Sequence, residues 1–266
     1  MKNEYYIAIV ISLLILSSCG KELSFNDLNK DDGSMPRYLS EVTEYLYPNN
    51  YHPEGKRTLL FGNPKYNDDN QITFAYVNFT GEESNHSYSY SSDVITVSCV
   101  SVDGVNSTKI YQVEDGMITK CTQTGKGEYQ DGIYNYYYDS DRHLSCIHVS
   151  SQSLEQKINI SWVNDNIVKI SAFSEEHTYE YITDKAYKPY FPLFNISCVW
   201  YGGYTCLDEV LVAEGYFGES ICKDLPVKEY YFGEVTREFS YDIDKSGFIT
   251  KIKQGDKIRD YTLIWN

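Results

Sequence analysis

From Tyr241 to Ile252 the chain reads Tyr-Asp-Ile-Asp-Lys-Ser-Gly-Phe-Ile-Thr-Lys-Ile: a short strand with apolar positions, a polar turn, and a second strand. Weaker copies of its second half recur upstream. Taking the branched residue after each turn as reference, Ile72, Ile95, Ile118, Leu144 and Ile167 stand 23, 23, 26 and 23 residues apart, and Ile249 closes the series. The next residue is Thr73, Thr96, Thr119, Ser145, Val168 or Thr250, and shortly before each reference residue comes a turn-former: Asn70, Asp93, Gly116, Asp141, Asn166 or Gly247. Earlier still sits an aromatic: Tyr66, Tyr90, Tyr111, Tyr138, Trp162 or Tyr241. An aromatic on the incoming strand, an Asx or Gly turn and a β-branched start to the outgoing strand describe a β-hairpin. Repetition at this period predicts an all-β antiparallel meander of hairpins, rolled into a sheet or barrel.

The pattern departs from strict alternation in one respect. Ile249 and Ile252, Ile167 and Ile170, and Ile118 and Cys121 are three apart, which would put them on opposite faces of a regular strand. Either both faces are covered, as in a sheet that rolls on itself, or a bulge shifts the register after the turn. Between Pro36 and Tyr47, Val42-Thr43-Glu44-Tyr45 echoes the outgoing strands, and a strand is favoured there over a helix. From residue 184 to 231 the rhythm breaks. Two prolines in Lys188-Pro189-Tyr190-Phe191-Pro192 exclude a central strand, and Leu207-Asp208-Glu209-Val210-Leu211 has helical spacing for a turn or two. This loop and short-helix insertion is the expected lid, plug or recognition loop, or a cap on an open barrel.

The N-terminus is of another kind. Behind Lys2, the apolar run from Tyr5 to Leu16 is too short to cross a hydrocarbon core of about 30 Å and reads as a signal-peptide core. Leu16-Ser17-Ser18-Cys19-Gly20 follows it with the spacing of a bacterial lipobox. Residues 1–18 are therefore expected to be a signal peptide, with Cys19 lipidated (palmitate and diacylglycerol), 19–35 a polar tether and 36–266 a single hairpin-repeat domain. More than one acyl chain makes attachment stable. Lys21-Glu22, with Asp27, Asp31 and Asp32, resembles export signals to the outer face of the outer membrane; a plain polar spacer is the alternative. The expected location is the bacterial outer membrane, on the periplasmic or the cell-surface side.

Composition adds two restrictions. A formal charge of −15 with no basic stripe argues against nucleic acid as a partner. The 27 tyrosines against 11 phenylalanines suit half-buried strands with a wet edge.

Gly215-Tyr216-Phe217-Gly218, Asp224-Leu225-Pro226-Val227-Lys228 and the stretch Phe239 to Ile252 together resemble the C-terminal part of a domain of unknown function found in Bacteroides-type lipoproteins and described as having a porin-like β fold. Tyr138-Asp139-Ser140-Asp141-Arg142-His143-Leu144 resembles a YD-type repeat. The likeness is closest over the last part of the chain and implies fold and envelope location. It brings no catalytic residue. Several copies lack the glycine, and Trp162 stands where the other copies carry tyrosine.

Chemistry is sparse. No nucleophile elbow, zinc signature or phosphate loop occurs, and no cofactor is expected. Asp242, Asp244 and Ser246 match the start of a calcium loop, but Lys253 stands where its bidentate glutamate belongs, so a plain hairpin turn is favoured. Of the six cysteines after Cys19, Cys121 occupies an apolar slot. Cys198, Cys206 and Cys222 lie in the insertion, where a Cys198–Cys206 bridge is the candidate disulfide. Tyr201, Tyr204, Tyr216 and Phe217 are the candidate ligand-stacking rings. The reading is a lipid-anchored envelope protein that acts as a binding or structural module toward a glycan or another envelope protein. The alternative is a glycan-acting hydrolase whose carboxylates are assembled by the fold.

Overall fold

A strand with one apolar face must lay that face against others, and a ring of strands does so without leaving an unpaired edge. The computed structural model describes residues 39–266 apart from 79–82, 103, 105, 126–130, 152–154, 173–174, 184–186, 188–206 and 256–257. Eight strands form the first half: β1 Leu39–Leu46, β2 Lys56–Tyr66, β3 Ile72–Val77, β4 Ser84–Tyr90, β5 Val94–Ser101, β6 Asn106–Glu114, β7 Met117–Gly125 and β8 Gly132–Tyr138. The second half comprises β9 Leu144–Ser151, β10 Glu155–Val163, β11 Asn166–Ala172, β12 Glu175–Ile182, β13 Leu225–Tyr231, β14 Glu234–Ile243, β15 Ile249–Gln254 and β16 Arg259–Trp265. Each pairs antiparallel with its neighbours in sequence, and β1 pairs with β16, so the meander is a closed barrel. The rolled-sheet expectation thus resolves into a barrel. β1 is the strand favoured for the Pro36 to Tyr47 segment.

The six reference residues all point into the barrel and are buried, from Ile72 at 7% exposed to Ile118 and Ile249 at 0%. Their spacing is explained by bulges. Opposite Tyr66, Val113, Tyr138, Trp162 and Ile243 the register shifts by one, leaving Thr73, Thr119, Ser145, Val168 and Thr250 as the extra residues. The hydroxyls of Thr73, Ser145 and Thr250 donate to the carbonyls of Lys65, Tyr137 and Asp242 across the hairpin, at 3.0 to 3.2 Å. The hairpin from β4 to β5 has regular register through Tyr90 and Ile95. There the next buried residue is Val97, two positions on rather than three. Spacing of three therefore marks a bulge, and spacing of two its absence.

The aromatics complete the unit. In several strand pairs the ladder stops short of the bulge: at Phe74 and Ser87, Lys120 and Asn135, and Cys146 and Asn159. The carbonyl just beyond the last rung accepts instead from an aromatic tip: Ile72 from Tyr90 Oη at 2.8 Å, Ile118 from Tyr138 Oη at 2.7 Å, Leu144 from Trp162 Nε1 at 2.9 Å. Tyr181 and Trp265 do the same for Ile167 and Ile249. Phenylalanine cannot make this bond, which accounts for part of the tyrosine excess. Trp162 is no departure from the pattern, because its indole N–H performs the tyrosine's task.

The outer face is polar along several strands and carries scattered apolar residues, among them Ile110, Ile133 and Ile264, on others. Along β10, Glu155, Lys157, Asn159 and Ser161 are exposed between buried Ile158 and Ile160; along β14, Glu238, Ser240 and Asp242 are exposed beside buried Phe239 and Tyr241. Both termini of the barrel, the bulged turns and the insertion lie at one end, called here the turn end, since β1 starts and β16 finishes there. The other is the loop end.

Candidate functional site

Residues 207–224 of the insertion close the turn end from within. Asp208 caps a one-turn helix, α1 (Glu209–Ala213), by accepting from the amides of Val210 and Leu211. Val210, Leu211, Val212 and Ala213 are all buried. Phe217, fully buried, meets the inward rings of Tyr111 and Tyr136 edge-on, with centroids 6.2 and 5.1 Å away. The backbone is tied around the wall: Ile118 N–H donates to the Tyr216 carbonyl, Glu219 N–H to that of Arg142 and Lys223 N–H to that of Asp165. Gly218 has φ +64° and passes so close to the Arg142 carbonyl that a Cβ would collide with it. Residues 207–224 are thus a plug. The last seven residues of the 184–231 interruption are strand β13.

Glu214 fastens the plug to β3 and β4. Its carboxylate accepts from Ile72 N–H at 2.6 Å and from Tyr90 Oη at 2.8 Å. Burial pushes its pKa up to about 7. Tyr216 stacks on Tyr90 with centroids 6.0 Å apart, and its oxygen accepts from Gln71 Nε2.

Above the plug the inward-facing residues become polar: Glu44, Lys109, His177, Arg237 and Arg259 face inward near the loop end and are half-buried. Two polar groups form here. On one wall Arg259 Nη1 pairs with Glu44 at 2.9 Å, and buried Glu229 lies between His177 Nδ1 at 2.8 Å and Arg237 Nη1 at 3.0 Å.

On the opposite wall stands a denser cluster. Ser84, His86 and Tyr88 alternate inward along β4, and Cys99 of β5 is the ladder partner of His86. Ser84 Oγ lies 2.9 Å from His86 Nε2. His86 Nδ1 lies 3.6 Å from Asp208 Oδ2 and 3.3 Å from Tyr88 Oη. Tyr88 Oη donates to the same carboxylate at 3.2 Å. Burial alone would lower the His86 pKa, but hydrogen bonding to Asp208 and Cys99 outweighs it and raises the value to about 9. Burial likewise works against the charged form of Asp208, yet His86 and Lys109 hold its carboxyl below the usual range. Next to it, burial and the Asp208 charge push Glu209 up to about 7.

The residues singled out from sequence are scattered relative to this cluster. Phe217 is a core residue and Tyr216 is half-buried against Tyr90, so neither is an exposed stacking ring. Tyr201, Tyr204, Cys198, Cys206 and Cys19 lie outside the described residues. Cys222 is buried and free, accepting from Ile167 N–H at 3.4 Å, and Cys121 is fully buried as an apolar side chain. At the calcium-like turn, Asp244 accepts from the amides of Ser246 and Phe248, and Asp242 pairs with Lys253 at 3.0 Å. Asn67 and Asp139 make the same two amide contacts in their own turns. Asparagine serves equally at this position, so the turn needs an oxygen acceptor rather than a charge. Asp208 and Ser84 carried no sequence signal.

A closed antiparallel meander of sixteen strands is the topology of a porin-like barrel. The chain belongs to the family described as "Domain of unknown function (DUF4595) with porin-like fold", whose model matches residues 63–251. Among solved structures, a porin-like protein from Bacteroides uniformis ATCC 8492 is 15% identical with a TM-score of 0.56, over 86% of this chain and 96% of that one. A porin-like protein from Bacteroides vulgatus ATCC 8482 is also 15% identical, with a TM-score of 0.55, over 86% and 99%. At such identity the likeness is one of fold. No curated protein matches the chain.

Proposed function

We propose that this is a lipid-anchored protein of the bacterial outer membrane whose barrel stays in water and serves as a binding or structural module. Outward lysines carry the reading. A membrane-spanning barrel needs an outward apolar band, and an outward Lys or Arg at mid-membrane costs about 2–4 kcal/mol. Here Lys157, Lys169, Lys251 and Lys253 alternate with inward apolar residues on three different strands. Membrane attachment then falls to Cys19, directly after the signal peptide, residues 19–35 serve as the tether, and 36–266 form the body. The loop end of the interior, with its paired charges and Tyr231 beside His177, suits a polar partner such as a glycan or an envelope protein.

Fractionation of cells expressing the full chain tests this. Wild-type protein is expected in the detergent phase and Cys19→Ala in the aqueous phase. Stepwise ion conductance of the purified protein in planar bilayers, or membrane retention of Cys19→Ala, would overturn it.

A further inference from the structure

The cluster on β4 and the plug has the order that nucleophilic catalysis uses. The hydroxyl of Ser84 is half-buried near the loop end, the imidazole of His86 is buried beneath it, and Asp208 is deepest at 1% exposed. Hydroxyl to ring is 2.9 Å, and the other ring nitrogen faces the carboxylate at 3.6 Å. Asp208 also accepts from two helix amides and from Tyr88 Oη, so its orientation is held independently of the histidine. A nucleophile bonded to a base that is oriented by a third group is the geometry by which such sites are recognised, whatever the sequence order.

We propose that Ser84, His86 and Asp208 form an acyl-transfer site that hydrolyses small carboxylic esters entering the loop end of the barrel. Ser84 Oγ attacks the ester carbonyl carbon while its proton passes to His86 Nε2. The bond from that carbon to the leaving oxygen breaks, and Nε2 returns the proton to that oxygen, releasing the alcohol. Water then attacks the acyl-Ser84, giving a proton to Nε2 that goes back to Ser84 Oγ as the acid leaves. Asp208 is a positioning residue: it orients the ring and stabilises the imidazolium.

The groups facing His86 are Ser84 and Tyr88 on its own strand, Cys99 on β5, Lys109 on β6 and Asp208 with Glu209 on the plug. Because Asp208 favours the imidazolium, the ring becomes a base only as the pH climbs toward about 9. Ser84-dependent hydrolysis is therefore expected to rise with pH over that interval.

The experiment uses the full chain with p-nitrophenyl acetate as substrate and a fluorophosphonate as label, from about pH 6 to 10. A positioned base contributes about 10²-fold or more, so wild type is expected to exceed Ser84→Ala by about that factor at the alkaline end. Peptide mapping is expected to place the label on Ser84. Ser84→Ala leaves the His86–Asp208 contact in place and is expected to melt like wild type. Asp208→Asn, if folded, is expected to move the pH profile to lower pH. Equal rates for wild type and Ser84→Ala at every pH, or label found on Cys99 instead of Ser84, would overturn the proposal.

Discussion

The indole Nε1–H of Trp162 donates to the Leu144 carbonyl at 2.9 Å, and Tyr138 Oη does the same for the Ile118 carbonyl at 2.7 Å. Tryptophan and tyrosine are interchangeable here because each brings a donor to a carbonyl that the ladder no longer reaches.

Removing that donor strands a half-buried carbonyl. Tyr138→Phe and Tyr181→Phe are each expected to destabilise the barrel by about 1–3 kcal/mol in urea titrations. Tyr137→Phe, at an outward position 51% exposed, should stay within about 0.5 kcal/mol. Equal effects at Tyr137 and Tyr138 would contradict the assigned role.

The bulges make a deletion prediction. Thr119 is the extra residue between Ile118 and Lys120, so deleting it restores regular alternation and keeps both Ile118 and Cys121 inward. Deleting Thr96, which is paired with Ile110 in an unbulged strand, turns either Ile95 or Val97 outward. Circular dichroism melts are expected to show a folded Thr119 deletion and an unfolded Thr96 deletion.

Phe217 joins the plug to the wall. Phe217→Ala removes a fully buried ring between Tyr111 and Tyr136 and is expected to cost about 3–5 kcal/mol. A loss below about 1 kcal/mol would mean that the plug contributes little to the barrel's stability.

Stability should fall as pH rises. Glu209 and Glu214 have folded pKa values raised from 4.5 to about 7, so the protonated form is favoured in the fold. Their contribution is full below 4.5 and is lost as pH passes about 7. His86, raised from 6.5 to about 9, contributes fully below 6.5 and loses that contribution through about 9. Asp208, held below its usual range, acts only at the acid end, where its contribution disappears as it protonates. Urea midpoints are expected to decline from about pH 5 to 9, and Glu209→Gln to flatten the lower part of that decline. A midpoint that rises across this interval would refute the assignment.

Much of the barrel was legible because its unit is local. The interval between Ile72, Ile95, Ile118, Leu144 and Ile167 follows from hairpin length. The three-residue step from Ile167 to Ile170 already contained the bulge, although spacing alone left a two-faced sheet as an equal reading. Tyr138-Asp139, read as a repeat signature, is two devices side by side: an aromatic tip for the neighbouring strand and an Asx acceptor for the turn. Trp162 looked like an exception only while the function of the ring was unknown.

The cluster above the plug was illegible for the opposite reason. Ser84 and His86 are two apart on a strand, a spacing that any inward face produces, and Asp208 enters from far along the chain on a short helix. The same holds for Phe217, which sits in a glycine-rich loop that reads as exposed until the barrel is closed around it. Alternation, turn chemistry and a residue's own hydrogen-bonding groups are local, so sequence alone determined the hairpins and their direction, and left the bulges as one of two readings. Which strand met which to close the ring, and which buried groups met inside it, depended on contacts between distant segments. Those were decided only when β1 paired with β16 and residues 207–224 folded inward to fill the end.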